Sequence, residues 1–448
     1  MDNVTHALAG LLLAEAAVRL RAHRAARAVI PSAAPAVIPS AVEGSAPAVI
    51  PSAVEGSAPV SPRFRLFAAV SSMLAANLPD SDLFYTGVGR DRLAYLLHHR
   101  GHTHTVVIAI LGAALLWLVV RLVWRWRAGA APSRDESRWL LGLLVVSTLG
   151  HIVLDWTNSY GVHPFWPFDN RWRYGDSVFI VEPWFWVIAV PTLFLASTRR
   201  VARVLLSVVL LLGLVLAWRV HQVTTGAALA LTAGAVLSVL IARSLRPGVR
   251  AAAAVAAWVL VTLVMAAGTA TARTTIERAV RDADPASALL DVVVTPLPAN
   301  PLCTSVITVE RSAATYRVVT ARVRSTSALG TVARCGARDG AGPMFRASSR
   351  RSTSTVQWDT EWSAPHLELA TLALESCRAR AALRFIRVPA WRTVDDSTVM
   401  LGDVRYGGGS GNGFSDIAVL RRSTVCPDAV PPWTPPRTDL LGRDLTEE

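Results

Sequence analysis

His98 to Trp124 reads HHRGHTHTVVIAILGAALLWLVVRLVW. From Thr105 onward this is a nearly unbroken apolar run, interrupted only by Arg121, and at roughly 20 residues it is long enough to cross a bilayer core as a helix. The residues just ahead of it hold His98, His99, His102 and His104. A helix this apolar belongs in lipid, so the imidazoles fall at its boundary with water. Similar runs lie on either side, at Val4 to Leu20, Phe64 to Leu78, Trp139 to Trp156, Val178 to Ala196, Val201 to Trp218, Ala227 to Ile241 and Ala251 to Ala270. The sequence therefore predicts an α-helical polytopic membrane protein with about eight hydrophobic helices. The first two and the Ala227 run fall short of a full span and are read as tilted or partly embedded.

Composition agrees. Hydrophobic residues make up 52% of the 448 and charged residues 17%, where a soluble domain carries about a quarter charged, and the mean hydropathy is +0.39. These values exclude a wholly disordered chain, a collagen-like fibre and a small disulfide scaffold. The formal charge is +13, with 45 basic residues. All of them are Arg, which reads as the codon bias of a GC-rich genome and gives no ground for a nucleic-acid partner. Membrane lipids are the partners that the apolar runs imply; the sequence names no protein partner.

Five regions follow. Residues 1–27 form the first helix, which has no basic segment ahead of it and so is not read as a signal peptide. Residues 28–62 are a low-complexity insertion in which AVIPSAVEGSAP, at Ala36 to Pro47, recurs letter for letter at Ala48 to Pro59. Such Pro- and Ser-rich repeats form no packed core. Residues 63–200 complete the first membrane domain, and 201–271 add three further helices. Residues 272–448 alternate apolar and polar positions, as in Ser305 to Val309 and Tyr316 to Val319, which predicts a β-rich soluble domain.

Arginine placement argues orientation. If the first helix starts outside, cytoplasmic segments hold Arg121, Arg125, Arg127, Arg134 and Arg138, then Arg199, Arg200 and Arg203, among others. The outer segments hold fewer, and Arg90, Arg92 and Arg100 share their loop with Asp80, Asp82 and Asp91. The expectation is both termini outside. Cys303, Cys335, Cys377 and Cys426 all fall in the C-terminal domain, which suits two disulfides in an oxidising compartment, with three pairings open. Four buried thiols is the other reading.

On the predicted outer side, Asp2 and His6 share one face of the first helix, as do His151 and Asp155 of the fourth, each pair being four apart. Asp80 and Asp82 follow the second helix, His98 to His104 open the third, and Asp176 and Glu182 flank the fifth. Any one of these could be a helix cap. Their convergence from five sequence-distant segments points instead to a polar site, because ionisable groups at membrane depth are costly. Imidazoles and carboxylates without Cys suit zinc, manganese or iron, with room for two or three ions. Metal-bound water ionises near neutral pH, so hydrolysis is the expected chemistry. Trp156, Trp166, Trp172, Trp184 and Trp186 are read as an aromatic belt at the interface.

Met1 to His6 (MDNVTH), Pro79 to Asp82 (PDSD), His99 to His104 (HRGHTH), Gly150 to Asp155 (GHIVLD) and Tyr174 to Pro183 (YGDSVFIVEP) resemble, in this order, the YdjM-like membrane-bound metal-dependent hydrolases of bacteria. The resemblance covers roughly residues 1 to 200 outside the repeat. The C-terminal part, with Thr295 to Pro301 and Leu401 to Tyr406, is similar to that of the longer members. The His-x-x-x-Asp helix also resembles that of the zinc-dependent phospholipase C and single-strand nuclease superfamily, where it gives two ligands.

The resemblance implies a bacterial inner-membrane hydrolase, using a divalent metal, most simply zinc, with the C-terminal domain extracytoplasmic. It implies His6, Asp82, His104, His151 and Asp155 as ligands, with Asp2, Asp80 and His99 next; Asp155, His104 and Glu182 in catalysis; and Arg100 on substrate phosphate or in an ion pair. Glu182 stands where the family pattern has Asp. His163, His98 and His102 are left out of the site. The expected substrate is a phosphoester or lipid-linked molecule. The competing expectation is a non-catalytic metal-binding or sensing protein whose outer domain recruits a partner. A transporter would want ionisable groups in mid-span, which the last three helices lack.

Overall fold

The computed structural model describes residues 1–29, 60–86, 91–336 and 343–442. The AVIPSAVEGSAP repeats lie outside the described residues. The first half is helical: α1 (Asn3–Val29), α2 (Pro62–Ala75), the short α3 (Leu83–Thr86) and α4 (Arg92–His98), then α5 (Val106–Ala128), α6 (Arg134–Trp156), α7 (Pro183–Ala196), α8 (Arg200–Arg219), α9 (Thr225–Ser244) and α10 (Pro247–Ala283). Local chemistry sets their ends. Thr105 caps α5, which stops at Gly129 in a left-handed turn, and α6 opens on a capping box of Ser133 and Glu136. Pro183 takes the first position of α7, where its missing N–H costs nothing.

Among the described residues, five helices, α5, α6, α8, α9 and α10, are long and apolar enough to cross a membrane. The expected number was about eight. Of the other three, α7 is apolar but has only 14 residues, α2 also has 14, and α1 carries charged residues along its second half. All three pack against other helices of the bundle, though α2 leaves Leu66, Val70 and Leu74 exposed. α1 lies against α2, α6, α7 and α10, with Leu8 and Leu12 buried beside Phe185, Trp186 and Val190. By contrast Leu111, Leu115, Leu211 and Leu263 on the long helices are each at least 60% exposed, a surface that hydrocarbon accepts and water does not.

α10 runs past the apolar boundary expected at residue 271. Beyond it, Ala272, Ile276 and Val280 keep a four-residue spacing and are buried against Val292, Val306 and Val319 of the C-terminal domain. At 37 residues the helix is about 55 Å long, so it both reaches through the bundle and props up the next domain.

That domain contains the strands expected. β1 (Ala288–Leu297), β2 (Asn300–Ser312), β3 (Thr315–Arg324), β4 (Arg346–Ala347) and β5 (Val356–Pro365) form one antiparallel sheet in the order β1-β2-β3-β5-β4. After α11 (His366–Glu375) and α12 (Cys377–Ala382), a second antiparallel sheet joins β6 (Pro389–Thr393), β7 (Thr398–Asp403) and β8 (Ile417–Leu420). Of the three cysteine pairings, Cys303–Cys335 and Cys377–Cys426 are the ones formed.

The domain docks on the loops that carry the candidate site residues. Leu93, Leu96 and Leu97 of α4, with Tyr160 and Trp172, share one core with Phe385, Ile386 and Trp433. The Trp433 indole N–H donates to the Leu97 carbonyl at 3.0 Å. A buried charge cluster locks the two parts: Arg387 grips Asp176 at 2.9 and 3.0 Å and Asp291 at 2.8 and 3.0 Å.

Candidate metal centre

Four elements bring the site together. His6 is one turn into α1, a tight turn at Pro79–Asp82 presents Asp80 and Asp82, the segment His99 to His104 precedes α5, and α6 gives His151 and Asp155 one turn apart. His6, Asp82 and His104 are wholly buried, and His151 and Asp155 nearly so. The turn ahead of α5 is strained: Arg100 has φ 58°, a left-handed backbone that costs a non-glycine residue about 1–2 kcal/mol. The conformation delivers the Arg100 N–H to Asp82 at 2.8 Å.

At the centre, donor atoms of Asp80, His104, His151 and Asp155 converge. His104 Nε2 lies 3.1 Å from His151 Nε2, 3.2 Å from Asp155 Oδ2 and 3.4 Å from Asp80 Oδ1. His151 Nε2 lies 3.3 Å from Asp155 Oδ2 and 3.6 Å from Asp80 Oδ1. These separations scatter around the ~3.3 Å edge of a tetrahedron whose vertices are roughly 2.0–2.1 Å from its middle, the bond length of zinc to nitrogen or carboxylate oxygen.

The histidine tautomers fit as well. His151 Nδ1 faces the Ala76 carbonyl at 2.7 Å, an acceptor only, so Nδ1 carries the proton and Nε2 presents a lone pair to the cluster. His104 Nδ1 is 3.1 Å from the Thr103 hydroxyl and 3.5 Å from Asp82 Oδ2, the outer support usual for a metal-bound imidazole. Two imidazole nitrogens and two carboxylate oxygens, all within 4.8 Å of one another, are an arrangement that a cation stabilises. Without metal, that cation is a proton on His104. Burial pulls the His104 pKa down, but Asp155, Asp80 and Asp82 overcome this and push it up to about 10. Burial likewise raises the carboxyls of Asp80 and Asp82, and the facing histidines more than reverse it, holding both below the usual range.

A second group, Asp80, Asp82 and His99, has its donor atoms within 4.8 Å of one another. His99 Nδ1 is 3.2 Å from Asp82 Oδ1. Asp80 belongs to both groups.

Other expected residues stand around these. His6 stacks on His151 with centroids 3.7 Å apart, and its Nε2 lies 3.3 Å from Asp155 Oδ1, yet neither ring nitrogen makes a hydrogen bond. Arg100 pairs with Asp155 at 2.9 Å and donates to Asn158 Oδ1 at 3.2 Å, its guanidinium lying over the Tyr160 ring. The Met1 amino group also touches Asp155.

Asp2 caps α1, accepting from the Thr5 N–H at 2.8 Å and the Thr5 hydroxyl at 2.6 Å, and is in neither group. Glu182 lies apart too, capping α7 through the Trp184 N–H and accepting from the Ala299 N–H in the β1–β2 turn, each at 3.2 Å. Burial there, only partly offset by the two N–H groups, raises its carboxyl to about 8. His98, His102 and His163 stay outside both groups, and His163 stacks on Trp433.

The tryptophans do not form the expected belt. Trp172 and Trp186 are buried, Trp184 bonds the Ala299 carbonyl and Trp166 packs on His102, while Trp156 is 45% exposed. Trp156 instead borders an apolar groove of about 740 Å³ on the other side of α6, lined also by Val106, Leu149, Ile152, Val153 and Phe165. Sequence reasoning missed Asn158, Tyr160, Arg387 and Trp433, because their roles depend on contacts between distant segments.

These ligand-bearing segments are where the likeness to known proteins lies. The YdjM inner membrane protein family matches residues 1–224. This chain belongs to that family. The match takes in every donor of both groups and stops at the start of α9, ahead of the C-terminal domain. No curated protein and no solved structure shows significant similarity to this YdjM member.

Proposed function

We propose that this protein is a divalent-metal-dependent hydrolase of the inner membrane, cleaving a phosphoester of a bilayer lipid at the outer headgroup level. The observation that carries the reading is the Asp80, His104, His151 and Asp155 cluster, buried and spaced as ligands of one ion. These residues, with Asp82 and His99, would hold the metal. A bound divalent ion supplies water ionised near neutral pH and charge to offset the phosphate oxygens. Asp82 fixes the orientation of His104 and of the Arg100 turn. Arg100 Nε, buried without a hydrogen-bond partner, is the donor left for an anionic oxygen. His6, stacked on His151 with both ring nitrogens free of hydrogen bonds beside Asp155, is a further imidazole within reach of the centre.

The groove supports the lipid class. It shares α6 and the start of α5 with the centre, and Val153 on its wall is 57% exposed. A groove that opens sideways from two spans meets hydrocarbon, so an acyl chain is its occupant. The arginine bias and the two disulfides support the C-terminal domain lying outside.

One feature favours the non-catalytic alternative: four protein donors on one ion form a closed set, as structural zinc sites have. Metal content and hydrolysis, measured together on purified protein, separate the readings. The expected result is bound divalent metal and phosphodiesterase activity on a phospholipid, both lost in Asp155→Asn and His151→Ala. Bound metal with no hydrolysis of lipid or of a soluble aryl phosphodiester would leave the alternative standing. A protein that binds no divalent metal would overturn both.

A further inference from the structure

The two ligand groups are unequal. In the first, Asp80, His104, His151 and Asp155 fill the tetrahedral positions of one ion, leaving none for water. Three of its members, His104, His151 and Asp155, have side chains at most 1% exposed. The second group has three protein donors, Asp80, Asp82 and His99, and lies nearer to solvent, with the His99 side chain 11% exposed and that of Asp80 9%. Asp82 is set up for it. Its Oδ2 accepts from the Arg100 N–H at 2.8 Å and the Thr103 hydroxyl at 3.3 Å, which turns Oδ1 toward His99. The 3.2 Å between that oxygen and His99 Nδ1 matches the spacing between donors in the first group.

From this geometry we infer a two-ion centre with divided labour. The first group holds a tight ion that organises the site, Asp80 bridges, and Asp82 with His99 completes an open three-donor position where water and the substrate phosphate attach. Charge sets the order of filling. The carboxylates of Asp80, Asp82 and Asp155 are already matched by the Arg100 guanidinium and one divalent ion. A second ion therefore enters together with an anion. Its occupancy rises with phosphate, whereas that of the first does not.

This rests on the reading of the centre as a hydrolase site, and counting ions separates the two. The full-length protein, purified and stripped with a chelator, is dialysed against Mn²⁺ with and without inorganic phosphate. Bound metal is then read by mass spectrometry and coupling between ions by electron paramagnetic resonance. The expected result is two ions per chain in phosphate, spin-coupled, falling to one tight ion when phosphate is removed. His99→Ala holds one uncoupled ion in either buffer, while His151→Ala loses the tight ion. A single uncoupled ion in wild-type protein under both conditions overturns the assignment without involving any variant, as does loss of both ions from folded His99→Ala. Two coupled ions without hydrolysis would keep the assignment and sink the hydrolase, and one ion with hydrolysis would do the reverse.

Discussion

Replacing Arg387 with Met tests how the C-terminal domain is held over the centre. In the native protein the Arg387 guanidinium is buried and makes four charge-assisted bonds of 2.8 to 3.0 Å to Asp176 and Asp291. Without it, Asp176 keeps Arg273 at 3.0 Å, whose side chain is 35% exposed, and Asp291 keeps the Val292 N–H at 2.8 Å and Arg437 at 3.9 Å. The buried Asp176 and the half-buried Asp291 then both lose their main cation. Removing one partner of a buried ion pair costs about 3–5 kcal/mol, which raises the undocked population by roughly a hundred- to a few thousand-fold at 1.4 kcal/mol per decade. Undocking uncovers Tyr160, which is buried against Phe385 of the C-terminal domain, so limited proteolysis with chymotrypsin at Tyr160 reads the population directly. Cleavage of Arg387→Met should accelerate by that factor, and Arg387→Met/Asp291→Leu should recover part of the loss by removing one stranded charge. If the single variant is cut within about twofold of wild type, the size of a neutral surface change, the cluster does not hold the domain and the reasoning fails.

Three further outcomes follow from the same physics. Because the Glu182 carboxyl is raised to about 8 in the folded protein against 4.5 unfolded, its contribution to stability is full below pH 4.5 and is lost as pH rises through 8, a swing on the order of 5 kcal/mol. Glu182→Gln should therefore be more stable than wild type at pH 8.5 and show a flatter melting profile between pH 5 and 8.5; an unchanged profile would contradict this. Ile152→Trp, which fills the groove, should abolish cleavage of a long-chain phospholipid while sparing a soluble aryl phosphodiester and metal content, and equal loss on both substrates would remove the groove from the account. A reporter active only outside the cytoplasm should be active after residue 448 and silent near Ser45; the opposite pattern would place the centre on the cytoplasmic side.

What was legible in the sequence was what local pattern encodes. The apolar run from Thr105 became α5 almost to the residue, and the four-residue spacing of His151 and Asp155 put both on one buried face. The strands beyond Ala288 were readable from alternation. Hydropathy alone did not place α1, which packs on α2, α6, α7 and α10, or the end of α10, whose helical period continues after its apolarity ends. What the ligand ranking lacked was three dimensions. Asp80 was placed behind Asp82, yet it belongs to both groups, because a tight turn lets two carboxylates two residues apart serve one centre. Asp2 keeps the spacing of a ligand pair with His6, but spends its carboxylate on Thr5. Nothing local marks Trp433 or Arg387, whose partners are 336 and 211 residues away.

Those long separations bear on how the molecule is made. Leu97 is synthesised long before the Trp433 that covers it, an interval of about 15 to 70 s at 5–20 residues per second. Throughout that time the apolar side of α4, with Leu93, Leu96 and Leu97, and the neighbouring Tyr160 and Trp172 have none of their final cover from Phe385, Ile386 and Trp433. The nascent membrane half is therefore a sticky intermediate with an unfinished centre, and a chain stopped at residue 224, where the family match ends, stays in that condition. Maturation waits on the segment from Phe385 to Trp433.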